Sequence, residues 1–531
     1  MKNVVAVIFA VFLGMDAAAG AHPTNTLGTG VAIDGQNRTW AIGIEPSGDA
    51  SIISTAVVSD DATPKIQVLN QPEPVSADGE NHPKLAFGPN GEMYVSWTSP
   101  TSDHYTGDIR FSRSLDNGKT WSAPTTVHKD RQLITHRFDS LAVDGKGRIW
   151  IAWIDKRDQL LADKNHHEYA GAAIYYAYST DRGAHWKGDF KLADHSCECC
   201  RIALAKDEQG RMVAFWRHVF DGDERDHALA VLEPASKPIV HRATFDHWKI
   251  DACPHHGPSL AIDARGVKHA VWFSQVNGEG RAFYGQLHDD SPPTQVFELP
   301  RGASHPDVAV SGSRIAIAWK RFDGSNSVVE SRISNDGSTF VDSGAAKVST
   351  DSDEPRLAAN ANAIGLVWRH TNGITHFPLQ IVTTPITQIN AIRPAALVQT
   401  ESIVRPFALD TLQAIVQSQH GSPFWLVLWD LDCPYCVKSL ANIAQAQQRD
   451  PHLRVVTVAT DSIDQADAIK ARLSQLGVLG DTYAFSAASS EALRYAIDPQ
   501  WMGEKPRAYF YNAVGKRETF TGVLKDAQLT R

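Results

Sequence analysis

The chain has 531 residues, of which 43% are hydrophobic and 21% are charged, and its formal net charge at pH 7 is -9. This composition is typical of a globular protein with a sizeable core and excludes intrinsic disorder and collagen-like repeats. The negative charge argues against a nucleic-acid partner, because nucleic-acid-binding proteins normally present a basic surface.

Residues 1–21 have the pattern of a secretory signal peptide. Lys2 provides a basic start, residues 4–14 form an apolar run, and residues 19–21 read Ala-Gly-Ala, a cleavage site of the A-x-A type. The apolar run is shorter than the ~20 residues of a membrane-spanning helix, and an uncleaved anchor is the alternative. No run of 18 apolar residues follows. The mature chain is therefore expected in the periplasm or outside the cell, without a transmembrane segment.

One hairpin pattern recurs along residues 22–385. An apolar strand is followed by a turn rich in Gly, Asp and Asn and then by a second strand that ends in Trp. Six copies end at Trp97, Trp153, Trp216, Trp272, Trp319 and Trp368. A seventh copy, residues 31–43, has Gly43 in place of the Trp. Such units, each with further strand-like segments, predict an all-β propeller with six or seven blades, and the Trp side chains are expected to fill the core between blades.

Two turns within this region contain the residues of an Asp box. Residues 114–121 read SLDNGKTW, residues 179–186 read STDRGAHW, and residues 335–340 form a degenerate copy. In such a box the Asp accepts backbone N–H groups and the aromatic residue packs beneath the turn. On these boxes, residues from about 30 to 385 resemble the propellers of the sialidase superfamily. The resemblance implies the fold but not the chemistry.

A glycoside hydrolase of the sialidase type is one function to consider. It needs an arginine cluster for the substrate carboxylate, a tyrosine nucleophile and acidic partners. The candidate arginines are Arg137, Arg201, Arg217 and Arg369. The arginine motif of the family is missing ahead of the first Asp box, which argues against hydrolase activity.

Residues just before the first strand of each blade are expected to gather at one mouth of the propeller channel, because that strand lines the channel. Cysteine and histidine are frequent there, and together they suit copper or zinc, with thiolate favouring Cu(I) or Zn. His136 also falls at this position. The candidate metal ligands are Cys197, Cys199, Cys200, Cys253, His255, His256, His82 and His305.

The same four cysteines can instead form disulfides in an oxidising compartment, for example Cys197–Cys253 with Cys199–Cys200. An unpaired buried thiol is a third alternative. The histidines favour a metal, since a disulfide needs none. The stretches at residues 199–201 and 253–258 also resemble those of bacterial exported sialidase-like proteins of unknown role, and this supports a shared site without naming its ligand.

The pattern changes after residue 385. Residues 386–403 are predicted to form a linker. A buried strand over residues 424–429 then leads into Cys433-Pro-Tyr-Cys436, which opens a helix, and another strand and helix follow. This order predicts a thioredoxin-like α/β domain over residues 404–531. Pro506, which opens a later strand, resembles the cis-Pro element of thioredoxin folds, and the domain is most similar to the TlpA-like thiol reductases.

The helix N-terminus stabilises the thiolate of Cys433, and Cys436, one turn later, lies within reach to form a disulfide with it. The resemblance implies that Cys433 is the nucleophile, that Cys436 resolves the mixed disulfide and that Pro506 docks the partner disulfide. Lys505 departs from the family, in which a small or apolar residue commonly precedes the proline. A structural or metal-binding CxxC is the alternative.

We therefore expect an exported thiol–disulfide oxidoreductase fused to a β-propeller with a Cys/His cluster. Its partners would be extracytoplasmic protein disulfides and a membrane electron donor that restores the dithiol. The redox domain needs no cofactor, whereas the propeller can bind copper or zinc. In the main alternative, the propeller is a protein- or glycan-binding module that targets the redox domain to its substrate.

Overall fold

The computed structural model describes residues 27–47, 50–58, 66–69, 71, 73–101, 106–234, 237–371, 373–379, 404–419 and 421–530. The predicted signal peptide, residues 1–21, and the predicted linker, residues 386–403, lie outside the described residues. In the described part of the chain, no helix is long and apolar enough to cross a membrane.

Seven separate antiparallel sheets follow one another from residue 30 to residue 378, each with its strands in sequence order. Blade 1 comprises β1 (Gly30–Ile33), β2 (Thr39–Ser47), β3 (Ala50–Val58) and β4 (Ile66–Val68). Blade 2 comprises β5 (Lys84–Phe87), β6 (Met93–Pro100), β7 (Gly107–Ser114) and β8 (Thr125–Thr126). Blade 3 comprises β9 (His136–Val143), β10 (Ile149–Asp155), β11 (Ala172–Ser179) and β12 (Lys187–Ser196), with helix α1 (Arg157–Lys164) between β10 and β11.

The remaining four blades continue the series. Blade 4 comprises β13 (Ala203–Lys206), β14 (Met212–Arg217), β15 (His227–Leu232) and β16 (His241–Arg242). Blade 5 comprises β17 (Ser259–Ile262), β18 (Lys268–Val276), β19 (Glu279–His288) and β20 (Ser291–Glu298). Blade 6 comprises β21 (Ser304–Ser311), β22 (Arg314–Phe322), β23 (Ser327–Ser334) and β24 (Val341–Val348). Blade 7 comprises β25 (Arg356–Ala359), β26 (Ile364–His370) and β27 (Gly373–Pro378).

The blades form a closed ring. The first strand of each blade contacts the first strand of the next, and β25 of blade 7 contacts β1 of blade 1. The protein is therefore a seven-bladed propeller, and the seventh hairpin, which ends in Gly43 instead of Trp, is a full member of the ring. The first strands line the channel, as the repeat pattern predicts.

An aspartate closes the hairpin turn in several blades. In blade 3, Asp144 Oδ1 accepts the backbone N–H groups of Lys146 (2.8 Å) and Arg148 (3.0 Å), and its Oδ2 accepts the indole N–H of Trp150 (2.8 Å). Gly147 has a φ of 75°, a left-handed conformation that glycine adopts without a steric penalty. The equivalent aspartates, which accept backbone N–H groups in the same way, are Asp34, Asp207 and Asp263.

The repeated tryptophans are core residues, which confirms the prediction from the repeat. All six are at most 1% exposed. Trp153 packs with Tyr94 and Phe111 of blade 2, and Trp272 packs with Phe215 of blade 4. The interfaces between blades are therefore continuous apolar layers, and each indole bridges two sheets.

The Asp boxes are turn fasteners, as expected. In the first box, Asp116 Oδ1 accepts the N–H of Thr120 at 2.9 Å, and Ser114 Oγ accepts the N–H of Gly118 at 2.7 Å. In the second box, Trp186 packs edge-on against Phe111 with ring centroids 5.0 Å apart. The boxes hold the outer part of neighbouring blades together.

The C-terminal part is an α/β domain with one six-stranded mixed sheet in the order β28-β31-β30-β29-β32-β33. Its strands are β28 (Val404–Phe407), β29 (Phe424–Trp429), β30 (Val455–Ser462), β31 (Asp481–Phe485), β32 (Arg507–Tyr511) and β33 (Arg517–Thr521). Its helices are α2 (Thr411–Ser418), α3 (Pro434–Arg449), α4 (Ala466–Leu476), α5 (Ser490–Ile497) and α6 (Asp526–Leu529), with a 3-10 turn at Ile463–Gln465. The predicted succession of strand, CxxC, helix, strand and helix is β29, α3, β30 and α4.

Candidate functional site

Cys433 and Cys436 lie where β29 ends and α3 begins. Cys433 is the N-cap residue of α3, and its Sγ accepts the backbone N–H of Cys436 at 3.0 Å. Pro434 occupies the first helical turn, where a missing N–H costs nothing. The two cysteines are joined by a disulfide. In the reduced form, the helix N-terminus and this N–H group would stabilise negative charge on the Cys433 sulfur.

Pro506 and Lys505 face the CxxC pair from the neighbouring strand. The Lys505–Pro506 peptide bond is cis. Because Leu428 of β29 pairs with Arg507 of β32, the residues just before β32 lie opposite those that lead from β29 to Cys433. The Lys505 side chain forms an ion pair with Asp430. The basic residue before Pro506 thus has an acidic partner within the site.

Asp430 is a site residue that the sequence analysis missed. One of its carboxylate oxygens lies within 4.8 Å of both Cys433 Sγ and Cys436 Sγ. Burial would raise the pKa of Asp430, but Lys505 and then His255 hold that pKa below its ordinary value. An ionised carboxylate beside the sulfurs can accept the proton of the resolving thiol. Its only signal in the sequence is its place three residues before the CxxC motif.

Asp461, in β30, is a second carboxyl near this group. Its Oδ2 accepts the N–H of Leu431 at 3.0 Å. Burial, followed by the negative charge of Asp430, raises the pKa of Asp461 to about 7. This carboxyl therefore changes its charge in the neutral pH range.

The raised pKa of Asp461 predicts a pH-dependent stability. Between pH 4 and 7 the folded state holds a proton that the unfolded state has released, so the free energy of unfolding falls as the pH rises. Replacing Asp461 by Asn removes this effect and retains an oxygen to accept the Leu431 N–H. Between pH 5 and pH 8, we expect the free energy of unfolding of the wild type to fall by on the order of 1–2 kcal/mol relative to that of the variant. A fully buried carboxyl would give a larger fall, but this side chain is partly exposed. Urea unfolding of both proteins at pH 5 and pH 8 measures these free energies. The prediction is contradicted if wild type and variant differ by the same free energy of unfolding at both pH values.

The four propeller cysteines form one buried cluster. They lie in the segments that lead from blade 3 into blade 4 and from blade 4 into blade 5. Cys197 Sγ lies 2.7 Å from Cys200 Sγ and 3.8 Å from Cys199 Sγ. The sulfurs of Cys199 and Cys253 and a ring nitrogen of His255 lie within 4.8 Å of one another. All four cysteines are free thiols here, so the pairings Cys197–Cys253 and Cys199–Cys200 are not formed. Five of the eight predicted ligands are thus brought together.

Two buried arginines adjoin this cluster. Arg217 donates to three backbone carbonyls, those of Arg225 (3.1 Å), His256 (3.1 Å) and Phe273 (2.7 Å). Arg225 donates to the hydroxyl of Tyr435 at 2.9 Å, and its Nε and Nη1 have no hydrogen-bond partner among the described residues. A buried guanidinium with free donors fits an anionic neighbour.

The cluster itself supplies that anion. Burial would raise the pKa of Cys197, but hydrogen bonds with Cys199 and Cys200 and the charges of Arg225 and Arg217 lower it well below its ordinary value. Burial raises the pKa values of Cys199 and Cys200. In the reduced cluster, negative charge is therefore favoured on Cys197 over Cys199 and Cys200.

The remaining predicted histidines have other surroundings. His305 Nδ1 lies 2.7 Å from Glu354 and 3.4 Å from Glu80. Burial would lower the pKa of His305, but Glu354 and Glu80 raise it. His256 stacks on His305 at a centroid distance of 4.2 Å, and its Nδ1 lies 2.6 Å from the carbonyl oxygen of Pro254. His82 Nδ1 lies 3.2 Å from the carbonyl oxygen of Gly79, and His136 stacks on His128 at 3.9 Å.

The CxxC end of the α/β domain packs directly onto the cysteine cluster of the propeller. The N–H of Cys253 donates to Lys505 O at 2.8 Å, and the N–H of Lys505 donates to Cys253 O at 3.1 Å. Cys433 and Cys436 are both 0% exposed and belong to the same apolar core as the propeller cysteines. The CxxC pair therefore faces the propeller and not solvent.

No protein-family model and no curated protein matches the chain. Among solved structures it is similar to an α-L-arabinanase of Penicillium chrysogenum (13% identity, 55% of this chain and 88% of that chain, TM-score 0.40). It is also similar to the NanB sialidase of Streptococcus pneumoniae (10% identity, 59% of this chain and 67% of that chain, TM-score 0.33). A third similar structure is a secreted Mycobacterium tuberculosis disulfide oxidoreductase described as homologous to E. coli DsbE (18% identity, 22% of this chain and 81% of that chain, TM-score 0.18). At these identities and TM-scores the likenesses carry no argument about function.

The candidate sialidase arginines are engaged within the protein. Arg201 donates to Glu80 (2.9 Å), to Glu354 (3.3 Å) and to two backbone carbonyls. Arg217 is held by the three carbonyls described above, and Arg369 donates to Glu45 at 3.1 Å. Arg137 lies 3.7 Å from Asp432 of the α/β domain. All three donor nitrogens of Arg201 are used in this way, whereas Nε of Arg217 has no hydrogen-bond partner among the described residues.

Proposed function

We propose that this protein is an exported thiol–disulfide oxidoreductase whose thioredoxin-like C-terminal domain reduces disulfides through Cys433 and Cys436. The observation that carries this proposal is the position of Cys433 at the N-cap of α3, with Cys436 one turn later and Pro506 opposite. The signal-peptide pattern of residues 1–21 supports export. The partners would be extracytoplasmic protein disulfides and a membrane electron donor.

The site residues have separate roles in the proposed reaction. Because Cys433 is enclosed against the propeller, an external disulfide reaches it only when the α/β domain moves away from the propeller. The Cys433 thiolate then attacks one sulfur of the partner disulfide, and a mixed disulfide forms as the other sulfur leaves as a thiolate. Cys436 then attacks Cys433, transferring its proton to the carboxylate of Asp430, and the second partner sulfur is released. The protein ends with the Cys433–Cys436 disulfide, which a dithiol donor must reduce before the next turnover.

The full-length protein tests this function. We expect it to accelerate the reduction of a model protein disulfide and of glutathione disulfide by dithiothreitol. The matched variant, Cys433→Ser with Cys436→Ser, retains every propeller cysteine and separates the CxxC pair from the cluster. Equal rates for the two proteins would refute the proposal.

We further propose that the reduced propeller cluster binds a thiophilic metal ion, Cu(I) in preference to Zn. Three sulfurs lie within 4.8 Å of one another at Cys197, Cys199 and Cys200, and Cys253 and His255 extend this group through Cys199. Soft thiolates select these metals. A Cu(I) ion with two thiolates carries a net negative charge, which Arg217 and Arg225 would balance. His82, His256 and His305 remain predicted ligands, but they rank below the other five. His305 in particular is engaged with two carboxylates.

Anaerobic Cu(I) titration against a chelator tests the metal site. The Cys433→Ser/Cys436→Ser protein serves as the reference, and the same protein with Cys199→Ser and Cys200→Ser is the comparison. We expect at least a ~100-fold loss of affinity in the comparison, because two thiolate ligands are removed. Affinity should fall as the pH decreases, because protons compete for thiolate and imidazole. Equal, weak binding by both proteins would dismiss the site.

A further inference from the structure

The backbone of Cys253 occupies a specific place beside the CxxC pair. Its two reciprocal hydrogen bonds with Lys505 form an antiparallel bridge with the residue just before Pro506. The register of β29 and β32 sets Lys505 opposite the chain that leads into Cys433, and the ion pair between Lys505 and Asp430 joins the two. A short segment added by backbone pairing to the chain that leads into a strand resembles strand addition, a common mode of peptide recognition. Here the added segment belongs to the propeller and its central residue is a cysteine.

Further contacts hold the two domains together at this point. Tyr435, inside the CxxC motif, accepts a hydrogen bond from Arg225, the arginine beside Cys197. The N–H of Val523 donates to Asp251 O at 3.0 Å, two residues before Cys253. At a distance from the cysteines, Lys320 pairs with Glu491, and the N–H of Ser490 donates to Asp351 at 3.0 Å. The domain is thus docked in one orientation, with Cys253 at the CxxC end.

We propose that the propeller is itself a substrate of the CxxC pair, and that Cys433 reduces a disulfide between Cys199 and Cys253 by attacking Cys253. The inference rests on the proposed oxidoreductase function and names a substrate for it. Cys199 is the partner because its sulfur contacts that of Cys253. The propeller cluster is enclosed, so a docked dithiol has access to it that dissolved thiols lack.

The transfer balances within the protein. The Cys433 thiolate attacks Cys253 Sγ, the Cys199–Cys253 bond breaks, and Cys199 leaves as a thiolate. Cys436 transfers its proton to the carboxylate of Asp430 and attacks Cys433, which releases Cys253 as a thiolate. Two electrons have moved from the CxxC dithiol to the propeller. A Cys433–Cys436 disulfide with four free propeller thiols, the pairing in the structure, is the arrangement that this transfer would produce.

A full-length variant that lacks Cys199 and Cys436 tests whether the sulfurs of Cys253 and Cys433 can reach each other. In Cys199→Ser/Cys436→Ser, Cys253 and Cys433 have lost their own partners, so mild oxidation with diamide should join them to each other. Mass spectrometry of the alkylated, unreduced digest should show this link in most molecules. The triple variant that also carries Cys253→Ser should show none. A link from Cys253 to Cys197 or Cys200, with Cys433 unlinked, would overturn the proposal.

The rate of Cys253 reduction in the wild type and in the single variant Cys433→Ser provides a second test. After full oxidation, a limiting amount of dithiothreitol is added and alkylation of Cys253 is followed over time. Cys433→Ser should slow the appearance of the Cys253 thiol at least tenfold. If the variant matches the wild type here but loses reduction of an added disulfide, the internal substrate is refuted and the oxidoreductase function stands. If Cys433→Ser changes neither rate, both are refuted.

Discussion

Replacing Cys433 by Ser is expected to lower the rate of dithiol-dependent disulfide reduction at least ~1,000-fold, because the attacking nucleophile is lost. A serine hydroxyl is not ionised at neutral pH and does not attack a disulfide, whereas the Cys433 sulfur accepts an N–H at the helix N-terminus that stabilises its thiolate. Cys433→Ser should keep the fold of α3, since serine is a good N-cap residue. The loss therefore reports chemistry and not unfolding.

Cys436→Ser is the matched control, because it leaves the first chemical step intact. This variant should form a mixed disulfide with an added protein disulfide and then stop, since the resolving thiol is absent. Mass spectrometry would detect the adduct on Cys433, and dithiothreitol would release it. Wild-type turnover in Cys433→Ser, or an adduct on another cysteine, would show that the assigned nucleophile is wrong.

Replacing Trp153 by Ala is expected to destabilise the propeller by about 3–5 kcal/mol, because a large cavity opens between blades 2 and 3. The indole is 0% exposed and its N–H donates to Asp155 at 2.8 Å. The buried carboxylate of Asp155 would lose that donor and retain Arg157. Trp272, which bridges blades 4 and 5 and donates to Asp246 at 2.9 Å, should behave in the same way.

Urea unfolding followed by circular dichroism measures this effect. Leu161→Ala is the control, because that side chain on α1 is 59% exposed and its loss should change stability by no more than about 0.5 kcal/mol. Disulfide reduction per folded molecule should be unchanged in Trp153→Ala, since the indole packs in the apolar layer between blades 2 and 3 and not in the core that contains the CxxC pair. A loss below 1 kcal/mol would contradict the role of the tryptophans as core between blades.

Local chemistry could be predicted from the sequence because it depends on residues close together in the chain. Asp144 and Gly147 determine a hairpin turn within five residues, and the regular return of Trp indicates the layer between sheets. Cys433 and Cys436 are one helical turn apart, so their mutual reach follows from helix geometry alone. The sequence pattern is compatible with six or seven blades, because the contact that closes the ring, from β25 to β1, joins residues more than 300 positions apart.

The composition of the site was decided by packing between distant segments. The position of residues before each inner strand predicted that cysteines and histidines would meet, and Cys197, Cys199, Cys200, Cys253 and His255 do. The same rule could not assign His305, whose ring is drawn to Glu80 and Glu354 by charge. Asp430 is only three residues from Cys433 in the chain, but its ion pair with Lys505 depends on the register of β29 with β32, which no local pattern displays.

The sequence by itself determined the repeated hairpins, their buried tryptophans and the CxxC pair at a helix N-terminus, since each follows from turn chemistry, periodicity or the helix dipole. Only the tertiary structure decided that Cys253 pairs with Lys505, 252 residues later in the chain. That pairing consists of backbone hydrogen bonds, which any residue can form, so no side-chain pattern announces it. It arises because the docked domain places the residue before Pro506 against one propeller loop, and this contact brings the two sets of cysteines together.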